Sequence, residues 1–249
     1  GQTFTLHPSQ SPQDTLWLDY GRDNYAGVTW SDIPETDGRR LFIGWMSNWD
    51  YAQVVPTTAW RSAMTLPRTL SLARPGPHYR VLSRPVQELD RLRKNSVELE
   101  PMPVAGTVDL TDRLDFSPAV MEVELIFTLP ESGATDVGVE LGNDRGERYR
   151  IGYDAAANQF YSDRTQAGKT GFSEKFAAGR HLAPRLVDDR TLMLHLYLDV
   201  ASTEAFFDGG SIVLTDIFFP NSDFNRIRLY AEGGAVQLET GTLHQLQGI

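Results

Sequence analysis

From Val97 onward, apolar and polar residues alternate with a period of two. Met121, Val123, Leu125, Phe127 and Leu129 alternate with Glu122, Glu124, Ile126 and Thr128, which predicts a strand with one buried and one wet face. Val137–Leu141 and Tyr149–Tyr153 repeat the period on either side of the turn GNDRGE. In Leu192–Val200 the residues Leu192, Leu194, Leu196 and Leu198 face one way, and His195, Tyr197 and Asp199 the other. Thr203–Phe207, Ser211–Phe219, Ile227–Ala231 and Val236–Thr240 follow, punctuated by Gly209–Gly210 and Gly233–Gly234. Many short strands separated by turn signals predict a β-sandwich.

Residues 15–72 are also read as short strands. Thr15–Asp19 and Tyr25–Ser31 flank the polar turn GRDN, Leu41–Met46 follows DGRR, and Thr58–Leu66 stops at Pro67. Such antiparallel runs suit propeller blades or sandwich layers. Between the two halves lies the one predicted helix, Arg84–Lys94. Pro85 suits a first helical position, and Val86, Leu89 and Leu92 share a face. Prolines 75, 77, 85, 101 and 103 crowd this region and place a boundary near 72–80.

Composition narrows the function more than the fold. The chain has 249 residues, a formal net charge of −10 and no cysteine. That excludes disulfides, thiolate chemistry and Cys-ligated zinc, and it disfavours nucleic acid and anionic membranes as partners. The five histidines never reach metal-ligand spacing, so no metal and no cofactor is expected. No apolar run approaches a membrane span, and GQTFTLHPSQSPQD has neither the basic start nor the apolar stretch of a leader.

All five tryptophans lie at Trp17, Trp30, Trp45, Trp49 and Trp60. Such rings either fill the core of small β-sheets or stack on the C–H face of a ligand, and core filling is the commoner use. The nearby acids Asp19, Asp23, Asp32, Glu35, Asp37 and Asp50 are candidates for the paired carboxyls of a glycosidase, although turn formation explains Asp19 and Asp23 on spacing alone. No nucleophile elbow, phosphate loop or dinucleotide fingerprint is present.

Three separated motifs carry a resemblance: DYGRDNYA at 19–26, GWMSNW at 44–49 and PTTAWR at 56–61. With MTLPRTLSL at 64–72 and the stretch 192–249, they resemble the later part of glycoside hydrolase family 32, the invertases, levanases and inulinases. The resemblance implies an all-β protein: the last blades of a five-bladed β-propeller, then a C-terminal β-sandwich. Residues 1–75 would belong to the propeller, 76–95 to a linker with a short helix, and 96–249 to the sandwich. It also implies an Asp nucleophile, an Asp stabiliser and a Glu acid/base in DPNG-, RDP- and EC-type motifs, none of which occurs here.

The expected function is therefore the C-terminal portion of a retaining β-fructosidase acting on levan, inulin or sucrose, with this chain inactive alone and no catalytic residue in it. By the resemblance, Asp23, Tyr25 and Trp45 contribute to the substrate pocket, Trp49 and Trp60 are rim candidates, and the parent enzyme is secreted or periplasmic. Fructan or sucrose is the expected partner, with self-association through exposed blade edges. Two other functions fit the same residues: a carbohydrate-binding module without catalysis, and a sandwich used for subunit contact through an outward face around Tyr197 and Phe206.

Overall fold

A computed structural model describes residues 15–75, 79–134 and 136–248. Residues 1–14, read as lacking the features of a leader, and residues 76–78 of the expected boundary lie outside them. The described residues form two antiparallel sheets. The first contains β1 (Tyr25–Thr29), β2 (Arg40–Met46), β3 (Ala63–Met64), β4 (Arg68–Ala73) and β5 (Arg80–Pro85), in the order β1-β2-β4-β5 with β3 paired to the end of β2. This is a blade-like meander. Thr15–Asp19 is not a strand, and Thr58–Leu66 is a loop that contains only β3.

The second sheet holds β6 (Arg93–Leu99), β7 (Met102–Asp109), β8 (Met121–Thr128), β9 (Asp136–Gly142), β10 (Arg148–Asp154) and β11 (Gln159–Gln166). It continues with β12 (His181–Pro184), β13 (Thr191–Asp199), β14 (Ser202–Phe207), β15 (Ile212–Ile217) and β16 (Arg226–Leu246). Its order is β12-β11-β10-β9-β16-β8-β13-β14-β15, with β6 and β7 also paired to β16. The sheet folds over into the two layers of a sandwich because β16 serves both. Arg226–Glu232 pairs with β9, and Gln237–Gln245 pairs with β8. Gly233 and Gly234, expected to separate two strands, instead mark an irregularity within one: the pairing with β7 shifts between Ala231 and Val236. An extra residue in one strand bends it and sharpens its twist.

The alternation seen in the sequence is the core. Met121, Val123, Leu125 and Phe127 of β8 meet Leu192, Leu194, Leu196 and Leu198 of β13, and both pack against Val137, Val139 and Leu141 of β9 and Ile151 of β10. Each such side chain stabilises by about 1.5–3 kcal/mol relative to exposure.

The predicted helix is corrected. Arg84 and Pro85 end β5, where Pro85 stands opposite Arg68. β5 lies at the edge of its sheet, a place that tolerates proline. Only a 3-10 segment, Gln87–Leu92, follows. Its entry residue Val86 and Leu89 lie three apart and eclipse one another in this geometry. Together they bury Tyr197, Phe206 and Val213 of the sandwich. The face around Tyr197 and Phe206, expected to look outward for a subunit, is therefore covered by the chain's own connector.

Below that connector the acid Glu122 has no solvent exposure. Its carboxylate accepts from Arg93 Nε at 2.6 Å, Tyr197 Oη at 2.8 Å and His195 Nε2 at 2.6 Å. Burial alone would raise this carboxyl above its ordinary 4.5, but the hydrogen bonds from Arg93 and His195 outweigh burial and hold it at about 2. A depressed carboxyl stabilises the fold fully above its unfolded value and loses that contribution as pH falls through the folded one. Glu122→Gln is expected to lower stability at neutral pH and to flatten the stability–pH curve between 4.5 and about 2. Denaturant unfolding across that window checks it, and an acid limb as steep as the parent's would refute the assignment.

Candidate functional site

The two sheets meet where residues 19–23 run along the free edge of β15. Tyr20 N–H donates to Val213 O at 2.8 Å, and Asp23 N–H to Thr215 O at 3.1 Å. In return Asp19 Oδ1 accepts from Thr215 N–H, and Asp23 Oδ2 from Ile217 N–H, both at 3.0 Å. An exposed sheet edge is thus satisfied by the first part of the chain. The approach is close enough that a Cβ on Gly21 would lie 2.1 Å from the backbone of Thr215, so only glycine fits.

Two buried arginines complete the joint. Arg68, with no solvent exposure, donates to Asp19 Oδ2 at 2.9 Å, Glu204 Oε2 at 2.5 Å and Thr215 Oγ1 at 2.7 Å. Glu204 spends its other oxygen on Leu66 N–H. Arg164 reaches in from β11 and donates to Asp23 Oδ2 at 2.5 Å, Tyr51 Oη at 2.8 Å, Phe176 O and Ile217 O. Its guanidinium also lies 3.9 Å from the centre of the Phe176 ring, a cation–π contact.

Asp23, expected to offer a hydrogen bond in the pocket, is completely buried. Tyr51 Oη occupies its Oδ1 at 2.6 Å, while Arg164 and Ile217 occupy Oδ2. The structure places it beneath the candidate site as a clamp.

Tyr25, Trp45 and Trp49 are brought together. The Tyr25 and Trp45 rings meet edge-on at 6.2 Å, and Trp45 lies 5.0 Å from Trp49. Tyr25 and Trp49 are 56% and 63% exposed, and neither Trp17, Trp30 nor Trp60 is buried. Core filling, the commoner use of tryptophan, is therefore not what these residues do. Tyr25 and Trp49 line a cavity of about 470 Å3, joined by Trp17, Asp19, Asn24 and Asn48, with Leu182 from the sandwich. Trp45 backs them. The cavity combines flat aromatic faces with short amides, the chemistry that grips a polyhydroxylated ring. Trp60 stands apart, packed on Phe219 at 6.3 Å beside another cavity.

Asp19 is the one acid among the described residues lining the aromatic cavity. Both its oxygens are engaged, by Gly21 N–H, Asn24, Arg68 and Thr215. A pair of free carboxyls facing each other, which glycoside cleavage requires, is not formed by these residues. Elsewhere, Glu122, Glu124 and His195 come together at metal-ligand spacing, but the Arg93 cation already bridges the two glutamates. Ser162, His181 and Asp216 also cluster. Asp216 accepts from Ser162 Oγ and, at 2.6 Å, from His181 Nδ1. The imidazole nitrogen nearest the serine is thereby a donor, so it is not the base of a nucleophilic triad.

Arg68, Arg164, Tyr51 and Glu204 escaped the sequence analysis. The available signal was an arginine inside an apolar β run, as in FYSDRTQ, where the inward-facing position calls for a buried anion partner.

A blade-like sheet clamped to a two-layer sandwich, with an aromatic wall at the joint, defines the propeller-and-sandwich class of glycoside hydrolases. The chain belongs to glycosyl hydrolase family 32: residues 1–85 match its N-terminal domain and residues 88–245 its C-terminal domain. It is 35% identical to a levanase of Bacillus subtilis over 96% of this chain and 35% of the levanase. It is 30% identical to an extracellular exo-inulinase of Aspergillus awamori over 95% of this chain and 44% of that protein. The crystal structure of the Aspergillus awamori exo-inulinase superimposes with a TM-score of 0.81 at 27% identity, covering 93% of this chain and 44% of that one. A fructofuranosidase of Schwanniomyces occidentalis, complexed with fructose, shares the fold at 21% identity and a TM-score of 0.79 over 93% of this chain and 49% of its own. The chain thus spans between a third and a half of the length of these relatives.

Removing one partner of a buried ion pair costs about 3–5 kcal/mol, because the other charge is left uncompensated. Asp23→Ala is expected to destabilise by that amount, and adding Arg164→Met to recover part of the loss. Urea unfolding of the two variants checks this, and equal stabilities for Asp23→Ala and the parent would refute the clamp.

Proposed function

We propose that this chain is the C-terminal portion of a retaining β-fructosidase acting on levan, inulin or sucrose. In this role it supplies one wall of the substrate pocket and the sandwich that holds that wall in place. The observation that carries the proposal is the cluster of Tyr25, Trp45 and Trp49 beside a cavity whose only lining acid among the described residues is fully engaged. The names of the relatives, levanase and exo-inulinase, support fructan as substrate, and the fructose-bound neighbour supports a fructose unit as the recognised group. The same names support a location outside the cytoplasm for the parent enzyme.

The proposed organisation has three parts: propeller residues 1–75, a linking region 76–95 that includes β5, and a sandwich over 96–249. Twelve of the fifteen large apolar side chains that are exposed among the described residues fall between Leu16 and Val81. Every residue of β1 is exposed as well. Isolated exposed apolar groups are normal, but a concentration of this kind marks a surface that another element covers. Further blades of the same propeller are the proposed cover, and self-association is the expected behaviour when they are missing.

The chain alone is expected to release no fructose from levan, inulin or sucrose, since no pair of free carboxyls faces a sugar cavity among the described residues. Measured turnover by a clean preparation would overturn this. Trp49→Ala is expected to weaken binding of a fructose trisaccharide roughly tenfold, the equivalent of about 1.4 kcal/mol for one lost stacking face. Titration calorimetry reads the change, and affinity equal to the parent's removes Trp49 from the site.

A further inference from the structure

The sandwich layer built on β8 carries two rows of side chains across three strands on its outer face. Strand pairing sets Thr242 of β16 opposite Glu124 of β8, and Glu124 opposite His195 of β13. Two residues along, Thr240, Ile126 and Met193 are matched in the same way. Residues directly opposite on one face have Cβ atoms about 4.5–5.5 Å apart. The first row is therefore a continuous polar strip, and the second is apolar with a hydroxyl at its end. A cavity of about 470 Å3 is lined by both rows, together with Arg84 and Gly209–Gly210. Only Arg84 and Pro85 of its lining come from the first sheet. Met193, 38% exposed, is also one of the three large exposed apolar side chains that lie outside Leu16–Val81. The cavity thus belongs to the sandwich and stands apart from the surface proposed to be covered by further blades.

Its polar groups are within reach of a ligand. The Glu124 and His195 side chains are 44% and 28% exposed, and Arg84 and Thr240 are exposed as well. Each charged or imidazole group keeps an atom unused among the described residues. Glu124 accepts from Arg93 at 3.3 Å and His244 at 3.2 Å, both on Oε2, which leaves Oε1. His195 spends Nε2 on Glu122 and packs its ring 4.9 Å from that of Tyr197, so the orientation is set and Nδ1 is left. Arg84 donates from Nε to Gly209 O at 2.6 Å, which holds the guanidinium in place and leaves its two terminal nitrogens.

The mixture of charges decides the class of ligand. A bare anion would meet the Glu124 carboxylate, and a bare cation would meet Arg84 and the Arg93 already paired to Glu124. A neutral ligand rich in hydroxyls meets no such conflict, because each hydroxyl both donates and accepts. We infer that this face of the sandwich is a carbohydrate-holding site separate from the aromatic wall. Sugar hydroxyls donate to Glu124 Oε1 and to Nδ1 of the neutral His195 ring and accept from Arg84, while the C–H face of a ring rests on Ile126 and Met193. The volume falls within the roughly 300–1,000 Å3 of ligand sites, which suits a short stretch of oligosaccharide. The choice of fructan as that oligosaccharide rests on the β-fructosidase reading; the hydroxyl chemistry of the site does not.

The test is an NMR titration of the 249-residue chain with a fructose trisaccharide, which reads the two places separately. The backbone amides of Glu124, His195 and Thr242 report the sandwich face, and the indole N–H of Trp49 reports the aromatic wall. Both are expected to shift. Arg84→Met should weaken the sandwich event about tenfold, the effect of losing one hydrogen bond from a charged donor. Thr240→Trp fills the cavity from an exposed strand position that tolerates an aromatic ring. It should abolish the event with the melting temperature unchanged, which excludes misfolding as the cause. Trp49→Ala should leave the event as it is. Absence of shifts at the three amides overturns the inference, as does an affinity there that neither Arg84→Met nor Thr240→Trp alters. Shifts at the three amides with none at Trp49 sink the reading of the aromatic wall and leave this site standing. A glucose trisaccharide that moves the same amides equally supports the site and overturns only the choice of fructan.

Discussion

The buried guanidinium of Arg68 is the constraint on which the rest of the structure depends. A cation without solvent is tolerated only when anions surround it. Those anions come from different parts of the chain: Asp19 from the segment before β1 and Glu204 from β14 of the sandwich. Thr215 of β15 adds a neutral acceptor. Satisfying one charge therefore fixes the first sheet against the second. The Arg164–Asp23–Tyr51 cluster repeats the device a few residues further along the same segment. Such pairs add less net stability than apolar packing of equal volume, but they admit few geometries, which is what a joint between two sheets needs.

The aromatic wall inherits its position from that joint. Tyr25 lies two residues beyond Asp23, the end of the clamped segment 19–23, and Arg22 O accepts from Asn48, next to Trp49. Trp45 pairs with Tyr25 across β1 and β2, so the wall is also tied into the sheet. Leu182, in β12 of the sandwich, reaches the same cavity. The sandwich thus acts on the cavity both by contact and through the loop it grips. That coupling is a physical reason for the two units to travel together in one chain.

The second half of the fold was legible chiefly through β8 and β13, where one face is apolar throughout and gives a period of two, whereas β15, buried at all six positions, gives no such alternation. The first half was legible in its motifs and less so in its boundaries. Strands β4 and β5 were obscured by Pro67, Pro75 and Pro85, since proline is admitted at strand ends and sheet edges as readily as it begins helices. The wall residues Tyr25, Trp45 and Trp49 were accessible through resemblance, whereas the clamps were not. An aspartate in GRDN looks the same whether it makes a turn or receives a buried arginine 141 positions away. Pairing at that separation leaves no local pattern.

β16 has a consequence of another kind. One uninterrupted strand of 21 residues supplies ladder partners to both layers of the sandwich. Peeling away either layer would strip ladder partners from one part of this strand while the other part stays paired, so disorder in one layer loosens the strand that the other layer holds. The bend at Gly233–Gly234 then works as a hinge pin and not as a seam: it changes the direction of the ladder without breaking the strand that joins the two layers.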